Sequence, residues 1–251
     1  MTDGVPLEGG ERLEGGNSNA PVRYGDRVHR VAGPWSPTVH AYLRHLRENG
    51  VDVVPEPFGF DAEGREVLAF LPGAVPAYPL PDVVWTDAFL VQAARLLRRL
   101  HDASTGFDRS GAVWQQPSRL PDEVVSVNDF APYNLVLEGD RITGVIDLDQ
   151  ASPGPRVRDL AHLAYRLVPL TAPTNRDGLP SSLDERGRRL LLLADAYGDV
   201  APAAILIAVG PLLDDVADHA DRAGRPDHGD LYRKDAALLP GVSSTLLSAA
   251  G

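Results

Sequence analysis

The chain changes its pattern once, and this change constrains its possible folds more than any other feature. Residues 5–31 and 58–70 consist of short apolar runs between glycine turns, which is typical of antiparallel strands. After the prolines at 76–81, apolar residues recur at helical spacing, and the first such helix contains Phe89. The sequence therefore predicts the α+β class, with a β-sheet N-terminal part and a mainly helical C-terminal part.

The best boundary between the two parts is the breaker segment Leu71-Pro72-Gly73. We predict an N-terminal domain at 1–72, containing one helix at 37–49 that Ser36 would cap, and a C-terminal domain at 73–251. Within the second domain, the stretch from Val124 to Leu148 contains two short apolar runs around a glycine turn and predicts a hairpin. Further helices are predicted, in chain order, at about 155–168, 184–198, 202–222 and 230–248.

Composition excludes several classes of function. The chain has no cysteine, which excludes disulfides, thiolate metal sites and cysteine nucleophiles. Its formal net charge of −11 argues against a nucleic-acid surface, and it favours either a cationic substrate or solubility alone. The one lysine, Lys234, does not lie in a Walker A loop. The sequence contains neither a membrane-spanning apolar run nor a signal-peptide pattern, so we expect a cytoplasmic protein without a membrane partner.

Polar residues that could carry out chemistry surround the predicted hairpin. Asp129 and Asn134 lie on the loop that enters it, and Asp147 follows its second strand. A hairpin returns the chain to its start, so these three side chains should lie close together. Their oxygens are ligands that Mg²⁺ accepts, and a carboxylate can orient an attacking hydroxyl in phosphoryl transfer. The structural alternative is that each aspartate only caps a turn.

The order and spacing of these residues resemble the catalytic loop and metal-binding segment of the protein-kinase-like superfamily. The forms Asp-Phe-x-Pro-x-Asn and Ile-Asp-x-Asp resemble those of aminoglycoside phosphotransferases and related small-molecule kinases. This resemblance implies a bilobal protein-kinase-like fold, with a β-sheet N-terminal lobe and a mainly helical C-terminal lobe. It implies that Asp129 is the catalytic aspartate and that Asn134 and Asp147 bind Mg²⁺, while the role of Asp149 stays open.

The resemblance also implies two contacts with the phosphate donor, ATP or GTP. Gly15, Gly16 and Asn17 lie where the family folds a loop over the nucleotide phosphates, and glycine lets backbone N–H groups approach an anion closely. Double glycines are also common in ordinary turns. Phe70 and Leu71 match the linker whose backbone would hold the purine base.

Two departures from the family pattern concern the catalytic machinery. Val127 replaces the histidine that usually stands two residues before the catalytic aspartate, which puts the rigidity of the loop in doubt. The lysine that usually binds the nucleotide phosphates is missing, and Arg30 is the candidate substitute, with Arg23 as competitor. The alternative is that Arg30 is only an exposed charge on a strand and does not bind phosphate. The predicted helix supplies only Glu48, so the usual pair of lysine and helix glutamate should not be reproduced.

The sequence predicts a kinase that transfers the γ-phosphate of ATP or GTP to a hydroxyl of a small molecule. The family suggests an aminoglycoside as acceptor, but an amino alcohol, a nucleoside or another metabolite fits equally well because fold does not fix substrate. A catalytically impaired pseudokinase is the alternative that Val127 and the missing lysine motivate. The acids that could attract a cationic acceptor, or merely solvate helix faces, are Asp184, Glu185, Asp195, Asp214, Asp215, Asp218 and Asp221.

Overall fold

A computed structural model describes residues 9–13, 21–171 and 182–249. Short antiparallel strands and one helix come first, and five long helices follow, so the predicted change of pattern is confirmed. The strands are β1 (Glu11–Arg12), β2 (Val22–Tyr24), β3 (Arg27–Arg30), β4 (Pro57–Phe60), β5 (Glu66–Ala69), β6 (Val124–Ser126), β7 (Leu135–Glu138), β8 (Arg141–Val145) and β9 (Ser152–Gly154). The α-helices are α1 (Ser36–Glu48), α2 (Asp87–Ser104), α3 (Arg156–Leu167), α4 (Leu183–Tyr197), α5 (Pro202–Arg222) and α6 (Pro226–Ala249).

The first five strands form one antiparallel sheet in the order β1-β2-β3-β5-β4. The hairpin between β4 and β5 turns at Asp61, whose Oδ1 accepts hydrogen bonds from the N–H groups of Glu63 (3.1 Å) and Arg65 (2.9 Å). An aspartate that bonds its own backbone in this way favours a turn. In the centre of the sheet, Arg30 of β3 is paired directly with Glu66 of β5.

Helix α1 forms nearly as the sequence predicts, but Ser36 has a different place in it. Ser36 is the first helical residue rather than the cap, and its Oγ accepts a hydrogen bond from the N–H of Gly33 at 3.0 Å. The predicted apolar face is confirmed, and all of it is buried: Val39, Tyr42, Leu43 and Leu46.

The linker after β5 crosses to the hairpin of β7 and β8 at Gly73. Ala74 and Leu137 exchange two backbone hydrogen bonds of 2.8 Å, so the linker is tied to β7. Gly73 has a φ of 139°, and a Cβ added there would lie 2.6 Å from the carbonyl oxygen of Leu137. Both observations require glycine at this position. The division into domains 1–72 and 73–251 at this crossing remains a prediction.

The C-terminal part places two small pairs of strands among the helices. Strands β7 and β8 form the predicted hairpin, and β6 pairs with β9 beside it. The predicted helices after residue 155 are confirmed as α3 to α6, with ends shifted by a few residues. Phe130, on the loop that enters the β7–β8 hairpin, is fully buried in the same core as Phe89 of α2, so the loop is fixed to the helical part.

Among the described residues, no single helix is long and apolar enough to cross a membrane. Helices α4 and α5 reach that length and hydropathy only when they are taken together, and the chain bends by 103° between them.

Candidate active site

The structure brings Asp129, Asn134 and Asp147 together at one end of the β7–β8 hairpin. The N–H of Ile146 donates to the carbonyl oxygen of Asn134 at 2.9 Å, which places Asp147 beside Asn134. The amide Nδ2 of Asn134 donates to the backbone oxygen of Asp129 at 2.9 Å and to its Oδ2 at 3.1 Å. The convergence expected from the hairpin is therefore present.

The carboxylate of Asp129 has two different sides. Its Oδ1 accepts a hydrogen bond of 2.7 Å from the hydroxyl of Tyr133, while its Oδ2 lies towards Asn134 and accepts from Nε2 of Gln150 at 3.4 Å. Burial raises the pKa of Asp129 to about 6, although the Tyr133 hydrogen bond and the charge of Arg166 oppose this rise. A carboxyl with such a pKa is ionised at neutral pH and is a stronger base than an ordinary aspartate.

A carboxylate from α3 holds the catalytic loop in place. Asp159 is fully buried and accepts hydrogen bonds from the N–H groups of Val127 (2.6 Å) and Asn128 (2.7 Å). Nε2 of His101, on α2, lies 2.9 Å from the same carboxylate. The sequence shows Asp159 at the start of a helix but gives no sign that it contacts the loop.

Asn128 connects the catalytic loop to the segment that follows Asp147. It has a φ of 64°, a conformation that asparagine tolerates better than most residues. Its Nδ2 donates to the backbone oxygen of Gln150 (2.8 Å) and to Oγ of Ser152 (2.9 Å), and its Oδ1 accepts from Nε of Arg158 (2.9 Å). The loop is thus anchored without the histidine that Val127 replaces.

We expect Asp159→Ala to lower the free energy of unfolding by about 3–5 kcal/mol, because it leaves two buried N–H groups and a buried histidine without their acceptor. Urea denaturation followed by circular dichroism measures the change. Asp214→Ala, at an exposed position of α5, is the matched control and should stay within about 0.5 kcal/mol of the wild type. Equal stability of the two variants would show that the loop does not depend on Asp159.

Arg30, and not Arg23, reaches the acidic residues of the site. Nη1 of Arg30 lies 3.1 Å from Oδ1 of Asp147, and Nη2 contacts Oδ1 of Asp149. Burial opposes the charge on this guanidinium, but Asp149, Glu66 and Asp147 outweigh it and raise the pKa of Arg30. Arg23 instead lies over the ring of Phe70, with its Cζ 3.8 Å from the ring centroid.

A strand, not the helix, supplies the glutamate that holds Arg30. Glu66 is fully buried, with Oε1 2.7 Å from Nε of Arg30 and Oε2 2.9 Å from Nε2 of His40. His40 lies on α1 and stacks on the ring of Phe60 at 4.9 Å. The expectation that Glu48 makes no such pair is consistent with this network. Only the register of β3 against β5 could have identified Glu66, because it is the cross-strand partner of Arg30.

The donors present fit a magnesium ion that also binds phosphate oxygens. Oδ1 of Asn134 accepts no hydrogen bond from the described residues, so it can bind a metal ion. The side chain of Asp147 is 44% exposed, so its carboxylate can bind the same ion. Glu66, Asp147 and Asp149 face one arginine, which leaves excess negative charge that a divalent cation would offset. Within the described ranges, no three His, Cys, Asp or Glu side chains are grouped as a metal site, so phosphate and water would complete the coordination of Mg²⁺.

The nucleotide contacts predicted for Gly15, Gly16, Asn17, Phe70 and Leu71 remain predictions. Gly15, Gly16 and Asn17 lie outside the described residues. Leu71 packs over Gly144, where an added Cβ would lie 2.7 Å from Cδ1 of Leu71.

Asp149 contacts the guanidinium of Arg30. Its carboxyl is buried against Arg30, and burial raises its pKa to about 6. It therefore orients the guanidinium.

Four of the seven helix acids named in the sequence analysis are paired with arginines. Asp215 contacts Arg158 at 2.8 Å and Arg119 at 3.2 Å. Asp218 and Asp221 share Arg233, at 3.1 and 2.5 Å. Glu185 lies 2.8 Å from Arg188. These pairs reduce the negative potential that a polycationic acceptor would need, and the prediction of such an acceptor stays open.

Comparison with known proteins identifies the family. A sequence model of the APH phosphotransferase enzyme family matches residues 108–197, which include the catalytic loop, the hairpin and α3. The trifolitoxin immunity protein of Rhizobium leguminosarum bv. trifolii is 33% identical over 195 residues, covering 74% of this chain and 73% of that protein. The chain belongs to the aminoglycoside phosphotransferase (APH) family. The predicted family and the predicted class, a phosphotransferase enzyme, are confirmed.

Solved structures show the same fold for this phosphotransferase. Ethanolamine kinase of Plasmodium vivax superposes with a TM-score of 0.65 at 11% identity, covering 94% of this chain and 82% of that one. The GDP complex of aminoglycoside 2'-phosphotransferase-IIIa superposes with a TM-score of 0.60 at 13% identity, covering 93% and 94%. The predicted bilobal protein-kinase-like fold is therefore confirmed for this phosphotransferase.

Proposed function

We propose that this phosphotransferase moves the γ-phosphate of ATP or GTP to a hydroxyl group of a small molecule. The observation that carries the proposal is the juxtaposition of Asp129, Asn134 and Asp147 beside a buried arginine. Phosphoryl transfer needs little covalent chemistry from a protein, and positioning with charge stabilisation supplies most of the rate. This set of side chains offers both.

Each residue has a distinct part in the proposed reaction. Asp129 orients the acceptor hydroxyl and accepts its proton as the oxygen forms a bond to the γ-phosphorus, while the bond to the nucleoside diphosphate breaks. Asn134 and Asp147 hold Mg²⁺, which when bound would neutralise charge on the phosphates. Arg30 binds phosphate oxygens through its guanidinium and is kept in position by Glu66 and Asp149. The purine base would lie at Phe70 and Leu71, and Gly15, Gly16 and Asn17 would cover the phosphates.

Arg30→Ala should weaken Mg²⁺-dependent nucleotide binding by about 1.5–3 kcal/mol, the usual contribution of a charge-assisted hydrogen bond to phosphate. Isothermal titration calorimetry measures the change. Arg23→Ala is the matched control, because Arg23 lies on the neighbouring strand over Phe70, and it should bind nucleotide like the wild type. If Arg23→Ala loses affinity and Arg30→Ala does not, the two roles are reversed.

The pseudokinase is the second candidate, and the observations that favour it are Val127 and the absence of a lysine from the nucleotide-binding part. Three contacts weigh against it: Asp159 and Asn128 hold the loop, and Arg30 supplies a cation. A pseudokinase would bind nucleotide with Mg²⁺ but phosphorylate nothing.

A screen of nucleotide turnover tests the proposal. ATP and GTP are each offered with Mg²⁺ and with panels of aminoglycosides, amino alcohols, nucleosides and sugars. We propose that the enzyme works in the cytoplasm, so the assay uses cytoplasmic pH and salt. Phosphorylation of one hydroxyl compound, detected by mass spectrometry, is the expected result. Nucleotide binding without transfer to any acceptor would support the pseudokinase instead.

A further inference from the structure

Arg166 is a buried cation beside the active site, and no carboxylate from the part of the chain that the structure describes is in contact with it. It lies near the end of α3, one helical turn beyond His162 and on the same face. Arg166 is only 9% exposed, and no aspartate or glutamate of the described residues forms an ion pair with it. Nη1 and Nη2 donate long hydrogen bonds to the hydroxyls of Tyr78 (3.4 Å) and Tyr232 (3.3 Å), and its Nε has no partner.

Arg189 is a buried arginine of the same protein whose charge is paired, although its Nη2 has no hydrogen-bond partner. It is 4% exposed, and its Nε donates to the carbonyl oxygen of Leu167 at 2.8 Å. Its Nη1 donates to the carbonyl oxygen of Trp85 at 2.9 Å and lies 3.3 Å from the carboxylate of Asp87. Among the described residues, Arg166 has neither a short hydrogen bond nor a carboxylate partner. A buried charge is costly unless it is paired, so a ligand that offered carboxylate or phosphate oxygens would lower the cost of burying Arg166.

Tyrosines surround the guanidinium of Arg166 and form what we call the tyrosine box: Tyr78, Tyr133, Tyr165 and Tyr232. The Cζ of Arg166 lies 5.5 Å from the ring centroid of Tyr133, 4.9 Å from that of Tyr165 and 5.9 Å from that of Tyr232. These rings offset part of the cost of the charge, but two long hydrogen bonds use only part of the five N–H donors of the guanidinium. The buried carboxylate of Asp235 accepts a hydrogen bond from the hydroxyl of Tyr165 at 2.7 Å.

The tyrosine box lies on the side of Asp129 that faces away from the metal-binding residues. Oδ2 of Asp129 is turned towards Asn134, whereas Oδ1 accepts from the hydroxyl of Tyr133, whose ring borders Arg166. Nε2 of His162 lies 3.8 Å from the same Oδ1. Burial lowers the pKa of His162 to about 3, so at neutral pH this ring carries no charge that could replace Arg166. An acceptor whose hydroxyl approaches Oδ1 would therefore extend towards the guanidinium.

We propose that Arg166 and the tyrosine box bind an anionic group of the acceptor, a carboxylate or a phosphate, so that the substrate is a hydroxy acid or a phosphorylated alcohol. This inference rests on the proposed transfer to a hydroxyl at Asp129. The guanidinium supplies a bidentate site for the anion, and the hydroxyl of Tyr232, which accepts from Arg166, keeps its own proton to donate. The anionic group takes no part in bond making or breaking and serves to position the hydroxyl.

Binding discrimination tests this inference independently of transfer. With a non-hydrolysable ATP analogue and Mg²⁺ present, thermal shifts are compared within matched pairs: gluconate and gluconamide, glycerate and glyceramide, and glucose 6-phosphate and glucose. We expect at least one anion to stabilise the wild type more than its neutral counterpart, to lose this advantage in Arg166→Met and to regain part of it in Arg166→Lys. Equal shifts within every pair would overturn the inference.

Transfer kinetics on the same compounds separate the inference from the proposed function. For an anionic acceptor, Arg166→Met should raise KM about tenfold to a hundredfold and change kcat less, because the contact exists before and during transfer. Transfer to the neutral members or to kanamycin, with no preference for the anions, would overturn the inference but leave the proposed function intact. Anion-specific binding without any transfer would contradict the proposed function alone.

If Arg166 served only the fold, replacing it should lower the thermal midpoint as much as replacing Arg189 does. Arg189→Met should lower the thermal midpoint clearly, because it removes three satisfied contacts. Arg166→Met, which removes an under-satisfied charge in the absence of ligand, should lower the midpoint less or raise it. A loss in Arg166→Met as large as that in Arg189→Met would show that the arginine serves the fold.

Discussion

Asp129→Asn is expected to slow phosphate transfer by about 10²–10⁴ while leaving nucleotide affinity nearly unchanged. The amide keeps the shape of the side chain and can still accept from the hydroxyl of Tyr133, but it cannot take a proton from the acceptor. The base matters mainly as the hydroxyl attacks, so the loss should appear in kcat and not in nucleotide binding. Transfer to the acceptor found by the screen, beside calorimetry with the nucleotide, measures both quantities.

The stability of Asp129→Asn separates a chemical effect from a structural one. Because burial raises the pKa of Asp129 in the folded protein, its ionised form costs stability at neutral pH, and that cost increases as pH rises through about 6. A neutral amide should therefore not lower the unfolding midpoint at pH 7. Asp214→Asn, on an exposed part of α5, is the control with unchanged kinetics. Transfer at the wild-type rate in Asp129→Asn would exclude Asp129 as the base.

Asp147→Ala is expected to abolish transfer and Mg²⁺-dependent nucleotide binding together. Asp147 is the exposed carboxylate next to Asn134, and without it the proposed metal site keeps only an amide oxygen. Mg²⁺ held by Asp147 and Asn134 would neutralise charge on the phosphates of the bound nucleotide, so binding and transfer should fail in parallel. Calorimetry in Mg²⁺ and activity assays on the same preparation measure the two losses.

Asp147→Ala should not weaken nucleotide binding when the metal is removed. In EDTA, Asp147 is only a negative charge beside the nucleotide phosphates, so its removal should leave metal-free nucleotide affinity unchanged or increase it. Asp122→Ala, at an exposed position away from the hairpin, should behave like the wild type in both buffers. An equal loss of affinity with and without Mg²⁺ would mean that Asp147 supports the fold of the site rather than a metal.

Much of the architecture follows from local patterns. The glycine turns before Gly73 and the helical periodicity after Phe89 predict the sheet and the helices, because strand and helix periods are properties of neighbouring residues. The hairpin from Leu135 to Val145 is also local, and it alone brings Asp147 back to Asn134. Ser36 was misplaced by one position at the start of α1, which is the usual precision of helix ends.

Contacts between distant segments could not be read from the sequence. Glu66 becomes the partner of Arg30 only through the register of β3 against β5, and His40 joins them only because α1 packs beside that sheet. The contacts that anchor the loop behind Val127 are also long-range, since Asp159 and Asn128 connect it to α3 and to the segment after Asp147.

The sequence by itself identified the residues that we propose for the chemistry and their order, because Asp129, Asn134 and Asp147 are spaced around one hairpin. Only the tertiary structure decided what surrounds them. The cation beside Asp147, the anchors of the loop and the tyrosine box around Arg166 each join residues from separate elements. Burial and the pairing of charges depend on which elements pack together, and the energy of a buried charge is fixed by those distant neighbours rather than by adjacent residues.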